Sequence, residues 1–377
     1  MACSTLLSLP RDILILLPDY IHNIEDYTNF SSTCTVLRDC MNTASPGTIL
    51  RLAAAQSTTF FRPSPHFLVT ATARELGNWA RESTTNEAVL ATRLEDGVDG
   101  LLDLSLKHCG LTMERIRQLH LQRFSIINPV TDLIDKCVGS QWYATPDFWN
   151  GGADDAYTIY ADPPATFFHL ALYGELFGPD FEAFLDSSER SARRLSVETR
   201  LECIKYCVPD YATSDCQERA CDVYMPDGQI DPRRAVKQTG PYAEGAGPLR
   251  DQNNIALVWV IQSSRWKPHW RAMRARAGIT DFQSGFTDHW WYDPGDEQDW
   301  RQRMLEAIMI CQGLDGLGMI RPDLQDIWVE KIKGWKEKIA SLEKEPGWIK
   351  VGRQATLEYP FLLGDLRICG TGYVCGT

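Results

Sequence analysis

The chain has 377 residues, a formal net charge of −12, 44% hydrophobic residues and 23% charged residues. That is long enough to bury a sizeable core and too apolar to stay disordered. The negative balance argues against nucleic acid or a lipid surface as ligand, because both present phosphates of the same sign. The first residues lack the basic start of a secretory leader, and Arg11 and Asp12 interrupt the first apolar stretch. No apolar run reaches membrane-spanning length, so the expectation is a cytoplasmic or nuclear protein.

Leu9, Ile13, Leu17, Ile21 and Ile24 recur at spacings of four or three residues, which predicts one apolar stripe on helical backbone. Pro18 starts a helix better than it sits inside one, so the spacing predicts two short helices meeting near Leu17. Phe30, Cys34, Leu37 and Met41 continue at helical spacing across residues 28–41, and Ser45, Pro46 and Gly47 end this unit. A helical piece over 49–55 and a proline-bounded loop over 58–65 follow. Surface helices are expected at 71–80 and 86–94, and a leucine-rich helix at 97–109. Thr112 is the expected N-cap of a helix over 113–124. Residues 131–138 read as a further helix, and 141–164 as a long aromatic loop. The apolar run 167–177 is expected to stop at Gly178 and Pro179, with a new helix beginning at Phe181, Phe184 and Leu185; residues 197–207 read as a helix. Residues 209–248 are rich in Pro, Gly and Asp and read as a loop or a domain boundary. Beyond them, 255–261 is helix or strand, and 300–311 and 324–342 are helical. The last carries Ile327, Trp328, Ile332, Trp335 and Ile339 as one face, with lysines on its flank.

The N-terminal pattern carries a resemblance. Leu9-Pro10-Arg11-Asp12-Ile13-Leu14, followed by Leu17, Ile21 and Ile24, resembles the opening of an F-box. Phe30-Ser31-Ser32-Thr33-Cys34-Thr35-Val36-Leu37-Arg38 resembles the third helix of that motif, especially in F-box-like proteins of filamentous fungi. The resemblance covers about residues 6–50. Together with the helical pattern and composition of the rest, the expectation is a mainly α chain: a short F-box-like helical module at 1–50, a helical body at 51–208, a Pro/Gly-rich loop or linker at 209–250, and a Trp-rich region at 251–377 packed on that body. The resemblance implies two partners, the adaptor protein of a cullin-type ubiquitin ligase and an unidentified target protein. Carried over residue by residue, Leu9, Pro10, Ile13 and Leu14 belong to the adaptor-facing surface or its supporting core, and Leu37 to the third helix of the same adaptor-binding unit. Leu17 and Ile21 support the fold.

The remaining chemistry is sparse. Nine of the twelve tryptophans lie at or after Trp259. Trp259, Trp266, Trp270, Trp290 and Trp291 could line a ligand or target pocket, or simply fill an aromatic core. Asp288, His289 and Tyr292 stand in an acidic-aromatic stretch and are the candidate acid-base groups of a second reading, a cofactor-free cyclase or isomerase that folds an apolar small-molecule substrate in an aromatic pocket. No cofactor is expected in either reading. The other histidines are scattered singly, with His120 and His169 expected as partly buried structural groups. Cys203, Cys207, Cys216 and Cys221 form C-x3-C-x8-C-x4-C, a weak zinc pattern set against ordinary reduced thiols. Cys369 and Cys375 sit in a Gly-rich tail. The Gly313–Gly318 stretch lacks the lysine and spacing of a phosphate loop and reads as a turn after a helix ending near Cys311.

Overall fold

The computed structural model describes residues 6–138, 161–185, 193–210, 236–246, 267–278, 311–321 and 323–343. It also describes single positions within 251–260 and 301–309 and two short strands, 366–368 and 374–376. Helix occupies 74% of the described residues, so the chain is mainly α. The strands, Leu366–Ile368 and Val374–Gly376, pair antiparallel with Arg367 opposite Cys375; Cys369 lies outside the described residues.

After a 3-10 turn at Leu6–Ser8, the chain makes two four-residue helices, α1 (Arg11–Leu14) and α2 (Leu17–Tyr20). Pro18 stands in the first turn of α2, where its missing N–H costs no helical bond. Asn23 caps α3 (Ile24–Thr33), accepting from the Asp26 amide at 2.8 Å. The helical spacing over residues 28–41 is broken once: Cys34 is extended, at φ −158°, and a separate helix α4 (Thr35–Met41) follows. The hydroxyls of Thr28, Ser32 and Thr33 each donate to the carbonyl four residues back, a competing bond that weakens a helix. α3 then folds against α4.

Ser45 caps α5 (Pro46–Ala54), accepting from Thr48 N at 3.1 Å. α6 (His66–Arg81), α7 (Thr84–Leu94) and α8 (Gly97–His108) follow. Thr112 caps α9 (Met113–Gln122) as expected, accepting from Arg115 N at 3.0 Å. A single π turn, Arg123–Ile127, leads into α10 (Asn128–Val138). Residues 71–80 are at the surface on one side only: Arg74, Glu75 and Asn78 are exposed, while the other side of α6, with Phe67, Leu68, Val69, Ala73, Leu76, Gly77 and Ala80, is buried. The residues that make it look polar or weakly apolar are mostly small, and small side chains let a second helix come close.

That second helix is α11 (Pro163–Leu185), which passes Gly178 and Pro179 without ending. Pro179 has no N–H for the carbonyl of Glu175, and the next carbonyl, of Leu176, accepts from the Arg81 guanidinium at 2.6 Å. Burial of the Phe-rich helix from many sides, with that outside donor, offsets the proline. Along the contact Phe67 meets Phe168, Arg74 meets Glu175 and Arg81 meets Asp180. The partners climb both helices together, so α6 and α11 run side by side in the same direction, and α7 to α10 form the long return between them. Phe61, Phe67, Phe167, Phe168, Tyr173, Phe177 and Phe181 make a buried aromatic cluster around this pair.

Ser196 caps α12 (Val197–Cys207), which packs on α7 and α8. Part of the expected linker is fixed to it: Tyr206 Oη accepts from Lys237 N at 2.7 Å, and Tyr242 Oη donates to Lys205 O at 2.8 Å. Of the helix-or-strand segment 255–261, the described Ala256, Leu257 and Val260 are helical and buried, with Asn253 on the same face. Further along are α13 (Lys267–Arg276), a short α14 (Gly313–Gly316) continued by a 3-10 turn at Leu317–Ile320, and α15 (Gln325–Ala340). Gly174 and Gly178, one turn apart on α11, face the backbone of Cys311 and Gly313 so closely that a Cβ at either would collide with it. Gly313 itself has φ +71°, and Glu175 Oε1 accepts from Leu314 N at 2.9 Å. On α15, Trp328, Ile332, Trp335 and Ile339 are buried. Ile327, predicted on that face, is 70% exposed and points away from it. Lys331 lies over the Trp328 ring at 4.7 Å, so one flanking lysine packs while keeping its head in water.

Candidate protein-docking surface

The N-terminal residues divide their large apolar side chains three ways. Ile21, Ile24, Tyr27 and Met41 join the main core, and Tyr27 Oη donates to Met41 O at 2.7 Å. Arg51 of α5 reaches back to the carbonyls of Pro18, Asp19 and Ile21 at 3.2–3.3 Å, and Thr48 donates to Asp19. These bonds clamp the end of α2 to the body and satisfy carbonyls that a four-residue helix cannot. Leu14, Leu37 and Cys40 form a separate small core, flanked by Leu17 and Cys34, which ties α1 to α4. The third set stays open: Leu6, Leu7, Leu9, Ile13, Ile15 and Leu16 are 37–52% exposed, and Pro10 is exposed beside them.

This placement sorts the residues predicted to meet an adaptor. Leu9, Pro10 and Ile13 lie on the open surface. Leu14 and Leu37, at 2% and 3% exposure, take the supporting role and offer no surface. The predicted single stripe is therefore bent: its first half faces water, and its second half, at Ile21 and Ile24, enters the core. Phe30 and Val36, also exposed, extend apolar surface onto α3 and α4.

The other predicted sites are only partly in view. Asp288, His289 and Tyr292, and the side chains of Trp259, Trp266, Trp270, Trp290 and Trp291, lie outside the described residues, as do Cys216 and Cys221. Cys203 and Cys207 are buried one turn apart on α12. The Cys207 thiol is pushed well up by its hydrogen bond to Cys203 and by burial, which keeps it protonated and a poor ligand. Cys34, Cys40, Cys109, Cys203, Cys207 and Cys311 are free thiols. Among the described residues no group of three or more metal-binding side chains gathers, and no helix is long and apolar enough to cross a membrane.

Two polar clusters escape notice in the sequence because their members are about a hundred residues apart. His66, at the start of α6, meets His169 of α11 with ring centroids 5.5 Å apart, and among the described residues neither Nδ1 has a hydrogen-bond partner. Burial lowers His66 to about 4, with Asp162 opposing; burial and then His66 hold His169 well below the ordinary value. Both rings are neutral at pH 7. His169 is thus more deeply buried than expected, whereas His120 is exposed, edge-on to Phe124. In the second cluster Glu87 accepts from Ser196 N at 2.6 Å and from Thr199 Oγ1 at 2.9 Å and pairs with Arg193. Burial opposes the Glu87 charge, but these bonds win and its carboxyl titrates below the ordinary value. The cluster pins the start of α12 to α7. Compared with family models, curated proteins and solved structures, the chain matches no family, and no curated protein or solved structure proves similar to it.

Proposed function

We propose that the N-terminal helices form an F-box-like docking module that binds the adaptor of a cullin-type ubiquitin ligase, with the rest of the chain holding a target protein. The observation that carries this reading is the open ridge of Leu6, Leu7, Leu9, Ile13, Ile15 and Leu16 beside a small internal core of Leu14, Leu37 and Cys40. Nothing in the folding of the module requires six large apolar side chains in water; a partner surface does. Covering the exposed half of each contributes roughly 1 kcal/mol. Association itself costs about 4–15 kcal/mol, so the whole ridge must be covered and a single buried charge within it is decisive.

Co-purification with the adaptor tests the reading. The native chain should form a stoichiometric complex, and Leu9→Asp with Ile13→Asp should abolish it while leaving the thermal melt unchanged, since both side chains are exposed. Leu14→Asp is a poor probe because it would disrupt the small core. A native chain that elutes alone, or a double variant that still co-elutes, overturns the proposal.

A further inference from the structure

A second apolar surface stands far along the chain from the first, where the loop 58–65 meets the end of α9. Phe60 and Phe61 are neighbours with opposite fates. Phe61 enters the core against Phe67, with ring centroids 5.7 Å apart, while Phe60 is left 52% exposed. At the end of α9 and in the π turn after it, Leu121 and Phe124 are 67% and 60% exposed. Arg123 joins the two elements: its guanidinium donates to the carbonyls of Phe60 and Arg62 at 3.4 and 2.9 Å and lies over the Phe67 ring at 4.8 Å. Arg117, Leu121 and Phe124 follow at helical spacing, so a cation continues the apolar row.

The charge here runs against the rest of the molecule. Residues 58–67 and 113–127 hold four arginines, Arg62, Arg115, Arg117 and Arg123, and one carboxylate, Glu114, a net +3 in a chain of net −12. Glu114 pairs with Arg117 where both are about two-thirds exposed, a contact of little worth. Asp315 and Asp323 approach the same turn together with Arg321, and counting all three leaves the face at a net +2, since the neutral Gln122 amide that donates to Asp315 does not cancel its charge. We propose that this face binds a peptide segment of a partner protein in which apolar side chains alternate with Asp or Glu. The apolar residues would cover Phe60, Leu121 and Phe124, and the carboxylates would meet Arg62 and Arg117. An anionic bilayer fits less well, because the acidic remainder of the chain is repelled from it. The proposal does not depend on adaptor binding at the N-terminal ridge.

The probe is a fluorescein-labelled synthetic peptide alternating aspartate with leucine and phenylalanine, titrated with the full chain and read by anisotropy. The native chain should bind it, less tightly as salt is added, and should bind a lysine-for-aspartate control at least about tenfold more weakly. Arg62→Glu with Arg117→Glu, and separately Leu121→Ser with Phe124→Ser, should each weaken binding about tenfold or more. All four side chains are solvent-facing, so unchanged melts are the control for folding. Ile13→Asp should leave peptide binding intact, which separates this surface from the ridge. The proposal is overturned by no binding to the native chain, by equal binding of the variants or of the lysine control, or by patch variants that instead abolish self-association in sedimentation or binding to phosphatidylserine vesicles.

Discussion

Along α11, Phe167, Phe168, Tyr173, Leu176, Phe177 and Phe181 are all sealed, with at most 2% of any of them reaching water. Over residues 6–16, six leucines and isoleucines remain 37–52% exposed, and only Leu14 is covered. The apolar content of the two stretches is similar; what differs is the geometry available. α11 is long and is met by α6, α10, α12, α14 and α15, so every side of it finds cover. α1 and α2 are single turns joined at an angle, and such short helices cover one side chain each while the rest face out. A stretch that is apolar all round belongs inside a fold, and one that folds with half its apolar residues outside is suited to a partner.

Single substitutions should affect the two regions differently. Phe168→Ala, at the first aromatic pair of the α6–α11 contact, should cost about 3–5 kcal/mol and lower the denaturation midpoint of the whole chain. A loss below about 1 kcal/mol in urea unfolding would mean the contact is not the common core described. Leu37→Ala should cost roughly 2–4 kcal/mol within the small core of α1 and α4. Its effect should appear as faster amide exchange over residues 11–41, with the exchange of α6 and α11 unchanged; loss of protection in both regions would show that the module and the body unfold as one unit.

The histidine pair sharpens the contrast on the side of the body. His66 titrates near 4 when folded, against 6.5 in its ordinary state, and His169 is lowered in the same direction. Between these values the unfolded chain binds more protons than the folded one, so this contribution to stability is complete above pH 6.5 and is lost as the pH falls toward 4. The slope approaches roughly 1 kcal/mol per pH unit for each ring. His169→Leu should flatten it in urea midpoints measured across pH 4 to 7, and an unchanged slope in that variant would remove the pair as the cause. At the small end, Ile13→Ser should move global stability by less than about 0.5 kcal/mol, because Ile13 is 47% exposed and touches neither core. A larger loss by calorimetry would show that the ridge is structural.

Local rules were legible in the residues. The cap at Thr112, the turn at Gly313, the two short helices around Pro18 and the boundaries of α12 follow from side chains within a few positions of where they act. Errors arose where a local stop signal met strong tertiary cover. Pro179 would end an isolated helix, but burial and the Arg81 bond carry α11 through it. The small residues of α6 look like surface until α11 lies against them.

The mainly helical character, most helix ends and the greasy N-terminal segment can be read from the residues alone, because each depends on neighbours within one or two turns. Which half of that segment stays open, that His66 meets His169, and that Arg123 ties the loop of Phe60 to the end of α9 are settled by packing between distant segments. Those outcomes depend on α6 and α11 packing in parallel and on loops closing across sixty or more residues, and no periodicity within one segment encodes such distances.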